Sequence, residues 1–130
     1  MALQTFEDLE VWQRGCRLAV DVFAETHRWK SFVLRDQIQR AALSIPSNIA
    51  EGCERDSAGD FIRFLRIGKG SSAELRTQLY IARKLHDTNA EAFPLFSKSF
   101  VGEAREISAM IQGLIRSVER RGKKKLKTET

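Results

Sequence analysis

Apolar residues recur every three or four positions along most of the chain, the spacing of one face of an α-helix rather than the alternation of a strand. From Thr5 to about His27 they fall at Leu9, Trp12, Cys16, Ala19 and Phe23, with Thr5 and Asp8 placed as an N-cap and its third residue. A second stripe, Val11, Gly15, Leu18, Val22 and Trp29, lies roughly opposite the first at 100° per residue. This helix therefore has two faces to bury. Either it is sandwiched within its own bundle, or Val11, Leu18, Val22 and Trp29 pack on another subunit.

The second segment, about 32–54, carries Leu34, Ile38, Ala41, Ala42, Ile45, Ile49 and Cys53 on one face and has Pro46 in its middle. The apolar phase steps by three or four straight through the proline, which predicts one helix kinked at Pro46 rather than two helices. An interior proline costs about 3 kcal/mol through a lost hydrogen bond and crowding of the carbonyl of Ala42. Burial of Leu34, Ile38, Ile45 and Ile49 contributes roughly 6 to 12 kcal/mol before entropy. Ser44 and Ser47 stand where they could bond the loosened backbone. The alternative is that Ser44 caps a new helix with Pro46 in its first turn.

The third segment, about 57–86, opens at Asp56 or Ser57 and turns Phe61, Phe64, Leu65, Gly68, Ser72, Leu75, Leu79 and Ala82 to one side. Gly68, Gly70, Ser71 and Ser72 in its middle predict a close helix crossing, with Ala41 and Ala42 as partners. The fourth, about 91–121, aligns Phe93, Phe96, Phe100, Ala104, Ile107, Ile111, Leu114 and Val118, with Thr88 and Glu91 spaced as a capping box before it. Short connections between four long helices predict an all-α, antiparallel up-and-down four-helix bundle over residues 1–121.

Composition agrees: 130 residues with two prolines and 42% hydrophobic content suit one helical domain. Charge adds a location. Residues 1–119 hold sixteen Lys/Arg against sixteen Asp/Glu, so the net +5 comes from Arg120, Arg121, Lys123, Lys124, Lys125 and Lys127 against Glu129. Residues 122–130 are expected to be a basic, flexible tail, either solubilising or in contact with nucleic acid or another anionic surface. Two cysteines and two histidines in scattered positions predict no metal site and no cofactor. No segment has the roughly 20 apolar residues of a membrane span, and the acidic start is unlike a signal peptide, so a cytoplasmic protein with no membrane partner is expected.

Candidate chemistry is sparse. "GKGSS" resembles a phosphate-binding loop only faintly, since Gly70 follows Lys69 where Ser or Thr is needed and no strand precedes it. Ser44, Ser47, Asn48, Glu51 and Glu74 have no histidine near them in sequence, and Cys16 and Cys53 fall on apolar faces, so no enzyme is predicted. On the third segment, however, Arg66, Lys69, Arg76 and Arg83 share one strip with Tyr80, an arrangement suited to phosphates and a stacked base. The bland alternative is a solvated flank whose arginines pair with acids of a neighbouring helix.

The runs "FEDLEVWQRGCRLA", "RDQIQRAALSIPSNIAEG" and "FIRFLRIGKGSSAELRTQLYIARKL" resemble the four-helix-bundle family of proteins encoded in intervening sequences of bacterial 23S ribosomal RNA genes. The resemblance covers almost everything except the tail, with its second signature at Gly70, Ser71, Glu74 and Leu75. It implies a left-handed up-and-down bundle assembled into a ring-like homopentamer. A related accessory variability protein of diversity-generating retroelements binds nucleic acid and cooperates with a reverse transcriptase. The expected function is thus a non-enzymatic oligomer binding structured RNA, or DNA, through basic surface; the alternative is a protein-interaction scaffold or accessory subunit, for example for a reverse transcriptase.

Overall fold

The computed structural model describes residues 5–129, with side chains described as far as residue 122. A single 3-10 turn, Phe6–Asp8, precedes four helices: α1 (Glu10–Thr26), α2 (Phe32–Cys53), α3 (Ala58–Thr88) and α4 (Ser99–Glu129). There is no strand among the described residues. Each helix packs on two neighbours, α1 and α3 both lying against α2 and α4, which is the closed square of a four-helix bundle. Neighbours run antiparallel: Gly15 meets Pro46 while Thr26 meets Gln39, and Glu25 accepts from the Ser97 amide while Arg14 reaches Glu106.

The core is aliphatic and continuous. Ile38, Ile45, Ile49, Leu65, Leu75, Ala104, Ile107 and Ile111 are fully buried, and all four helices contribute to the cluster. Together they supply the driving force, at about 25 cal/mol per Å² of apolar surface removed from water.

Helix α2 passes through Pro46 without a break, so the two-helix alternative does not hold. The local reason is a glycine on the facing helix. A Cβ on Gly15 would stand 3.4 Å from Pro46 Cβ and 3.5 Å from its Cδ, so the bare backbone of α1 lets the buried ring lie flush between the helices. Nearby carbonyls receive side-chain donors: Ser47 Oγ donates to Leu43 O at 2.9 Å, and Asn48 Nδ2 to Ser44 O at 2.8 Å. Ser44 has a different task from the one expected, linking Asn48 and Ser71 across to α3 through its hydroxyl at 2.8 Å from each.

The close α2/α3 crossing exists, but its partners differ from those expected. Gly68 faces the Ile45 carbonyl and Asn48 Cβ, at 3.5 and 3.6 Å from an added Cβ, one turn beyond Ala41 and Ala42. Gly52 is tighter, with Phe64 Cβ only 2.8 Å from where its own Cβ would be. Gly70 faces open space and takes no part in the crossing. Ser72 lies fully buried and donates to Ala104 O on α4 at 2.7 Å.

Several boundaries moved. Thr5 and Asp8 do form a capping pair, the Thr5 amide donating to Asp8 Oδ2, but they close the 3-10 turn and not α1 itself. Ser57 is the cap of α3, accepting from the Asp60 amide at 3.1 Å. The fourth helix starts at Ser99, not near Glu91: Thr88 still belongs to α3, with its hydroxyl donating to Leu85 O, so the Thr88–Glu91 box does not form. Pro94 explains the delay, because it has no amide hydrogen and biases the preceding residue away from helix. Phe93 and Phe96 consequently sit in the connection. Phe96 still covers the bundle end, 6.1 Å from the Trp29 ring and 6.4 Å from Phe100. At the other end α4 continues to Glu129, past the limit near 121 expected from its apolar stripe.

Val11, Leu18, Val22 and Trp29, set aside above as a possible subunit interface, are 5, 3, 0 and 3% exposed within the single chain. They are core, and cannot also be free surface for another subunit. The stripe expected to point inward is the one left partly outside: Trp12 and Cys16 are half-buried, Phe23 is 39% exposed, and Val20 beside them 67%. Two apolar stripes of similar strength satisfy the same periodicity, and the seating of Gly15 on Pro46 decides between them.

Candidate nucleic-acid interface

Helices α3 and α4 are joined by the buried Ser72–Ala104 bond, and above it their outward flanks form a groove. A hollow of about 380 Å³ opens there, lined on α3 by Arg66, Lys69 and Arg76 with Gly70 and Ala73 between them, and on α4 by Ser108 and Gln112. No carboxylate lines it. Lys69 Nζ donates to Gln112 Oε1 at 2.8 Å across the groove, which leaves the amide –NH2 of Gln112 as a further donor. Arg66 lies at the rim, its side chain 66% exposed, with one Nη 3.4 Å from Glu119 Oε1. Arg76 is half-buried, and its Nε has no hydrogen-bond partner among the described residues.

Tyr80 follows Arg76 by one helical turn and is half exposed. Its hydroxyl accepts from Arg105 Nη2 of α4 at 3.1 Å, which tethers one end of the ring and leaves ring surface open. The expected strip is thus assembled from Arg66 to Tyr80. Beyond it the set divides. Arg83, 4.0 Å from Asp87, does not line the hollow. Arg121 borders a separate hollow with Arg55, Asp56 and Ser57 at the α2–α3 connection, and Arg120 is exposed on α4. The side chains of Lys123, Lys124, Lys125 and Lys127 lie outside the described residues.

Sequence reading missed the α4 wall. Arg105 and Gln112 are seven residues apart and stand on one flank of the α4 core stripe, a signal that periodicity does contain. What periodicity does not contain is which flank of α4 meets which flank of α3.

The other groove of α4 is electrically different. Arg14 of α1 forks onto Glu103 and Glu106, its Nε donating to Glu103 Oε2 at 3.1 Å, and also touches Met110 Sδ. Hydrogen bonding from Arg14 holds the Glu103 carboxyl below its ordinary value, and the same bonds raise the guanidinium further. That cation is paired locally, and the hollow on this side mixes Arg17 and Arg105 with Asp21, Glu103 and Glu106, so its lining is not purely cationic.

Across the bundle, Leu43 of α2 is 53% exposed, and the antiparallel register set by Gly15/Pro46 and Thr26/Gln39 places it level with Ala19 to Phe23 of α1. The α1/α2 side therefore carries a group of exposed apolar residues, with Ile67 and Ile81 of α3 exposed as well. Cys16 and Cys53 are free, half-buried thiols whose pKa values are pushed up by burial, the opposite of what a nucleophile needs. Ser44, Asn48 and Ser71 form the interhelical network described above, and Glu51 pairs with Arg55. No group of three His, Cys, Asp or Glu side chains suited to a metal occurs among the described residues, and none of the described helices is long and apolar enough to cross a membrane.

No curated protein matches the chain in sequence. Among solved structures, a crystal structure of a protein of unknown function from the S23 ribosomal protein family of Bacteroides thetaiotaomicron superposes with a TM-score of 0.69 at 25% identity, over 81% of this chain and 97% of that one. The family model described as 23S rRNA-intervening sequence protein matches residues 7–113, which take in the last two residues of the 3-10 turn, three whole helices and the half of α4 that walls the groove. The chain belongs to the 23S rRNA-intervening sequence protein family.

Proposed function

We propose that this protein is a non-enzymatic, cytoplasmic nucleic-acid-binding protein that engages structured RNA through the α3/α4 groove and works as a homo-oligomer. One observation carries the reading: Arg66, Lys69 and Arg76 line a single hollow that no carboxylate enters. Phosphates supply the matching charge, and release of their counterions supplies a large part of the affinity. Repetition of the groove in a ring, five-fold by the family resemblance, multiplies weak contacts through effective concentration. Because the Val11 stripe is buried, the surface for self-association is Val20, Phe23 and Leu43 on the α1/α2 side.

A salt titration with a labelled RNA tests this. Log affinity falls linearly with log salt, and Arg66→Glu with Arg76→Glu weakens binding at every salt concentration. Absence of binding by the oligomer at low salt would remove the reading. A protein-interaction scaffold is the second reading, favoured by the same apolar α1/α2 surface. A protein partner that stays bound after nuclease treatment, and is lost on Leu43→Asp, would support it.

A further inference from the structure

The α3/α4 groove has two parts of different chemistry set one helical turn apart. In the hollow, every charged lining group is a cation, and Gly70 and Ala73 present no long side chain to fill it. The free amide donor of Gln112 adds a directional bond to that charge, and among the described residues the Arg76 guanidinium, whose buried Nε has no partner, is not tied to any carboxylate. Its volume, about 380 Å³, lies at the lower end of small-ligand sites and is ample for one phosphodiester with part of its sugar. Next to it stands Tyr80, whose hydroxyl is held by Arg105 while about half the residue remains exposed. An anion seat followed by a tethered flat ring matches one nucleotide whose base face is uncovered. In a duplex the base faces are stacked on one another and unavailable to a side chain.

We infer that the groove takes single-stranded nucleic acid, one backbone phosphate seated among Arg66, Lys69 and Arg76 and the neighbouring base stacked on Tyr80. This rests on the nucleic-acid reading above and narrows it: within a structured RNA, the part held is an unpaired loop or end. Arg105 is a positioning residue, acting through the Tyr80 hydroxyl.

The test is fluorescence anisotropy at about 50 mM salt with two labelled probes of one sequence, a 20-nucleotide single-stranded RNA and its blunt duplex. The expected result is tighter binding of the single strand. Tyr80→Ala lowers single-strand affinity by about ten-fold, Tyr80→Phe, which keeps the ring but loses the Arg105 tether, lowers it by only about two- to three-fold, and neither changes duplex binding by more than about two-fold. Circular dichroism confirms that both variants are folded. Equal binding of both probes with no effect of Tyr80→Ala, while Arg66→Glu with Arg76→Glu abolishes binding, would overturn the single-strand inference and leave the nucleic-acid reading standing. No binding of either probe would overturn both.

Discussion

The α1/α2 and α3/α4 sides are built from the same kind of amphipathic helix, yet they end with opposite surfaces. On α1 and α2 the residues left outside include Val20, Phe23 and Leu43; on α3 and α4 they include Arg66, Tyr80 and Arg105, over a hollow lined by Lys69 and Arg76, with Ile67 and Ile81 exposed elsewhere on α3. The difference lies in how many apolar stripes each helix carries. Helix α1 has two, and with the Val11 stripe in the core the other is only partly covered, Ala19 buried, Trp12 and Cys16 half-buried and Phe23 39% exposed. Helix α4 has one, so its flanks are free to hold Arg105 and Gln112, and α3 turns its cations toward the same groove. The lesson is that a spare apolar stripe points to a protein neighbour, whereas a spare cationic flank facing another points to an anion.

The sharpest way to break this comparison uses two positions on α1 that are two residues apart. Leu18→Asp places a charge in a site 3% exposed and should cost roughly 3–5 kcal/mol, unfolding the chain instead of merely dissociating an assembly; urea denaturation followed by circular dichroism reads this directly. Val20→Asp, at 67% exposure, should leave the denaturation midpoint nearly unchanged and lower the mass seen by light scattering. If the two variants behave alike, the assignment of inner and outer stripes is wrong.

Glycines divide the molecule in the same way. Gly52→Ala forces a Cβ to 2.8 Å from that of Phe64 and 3.1 Å from the Phe61 carbonyl, with an expected loss of about 1–3 kcal/mol. Gly70→Ala meets nothing within 4 Å and should stabilise the protein by up to about 1 kcal/mol, since it removes a glycine from a helix interior. Thermal melts of the two variants should therefore shift in opposite directions.

The α1/α4 ion pair predicts a pH dependence. Arg14 lowers the folded-state pKa of Glu103 below its unfolded value, so the contribution is complete above about pH 4.3 and disappears as pH falls through the folded-state pKa. Glu103→Gln should cost on the order of 1 kcal/mol at pH 7, and its stability should decline less steeply in acid than that of the parent. A small stability effect is also expected at the cationic groove: Arg66→Glu disturbs only an exposed pair with Glu119 and should change the unfolding free energy by less than about 1 kcal/mol, while clearly weakening RNA binding.

How much of this could be read in advance varied with the kind of force involved. The continuity of α2 through Pro46 was legible because an unbroken apolar phase on both sides outweighs one lost hydrogen bond. The start of α4 was not, because Phe93 and Phe96 keep the helical phase although Pro94 prevents the helix; they are half-buried as parts of a connection. For the candidate site, the cations of α3 were visible as a strip, but the hollow is a property of two helices, and Ser108, Gln112 and Arg105 acquire meaning only when α4 is laid beside α3.

By itself the sequence determined the helix count, the all-α class, the inward faces of α2, α3 and most of α4, and the cationic strip, because each follows from a periodicity of 3.6 residues acting within one element. Tertiary structure alone decided which stripe of α1 is core and which flanks of α3 and α4 enclose the hollow. Such choices depend on contacts between elements far apart in the chain, such as Gly15 on Pro46 and Ser72 on Ala104, where a missing side chain or a single buried hydroxyl sets the register.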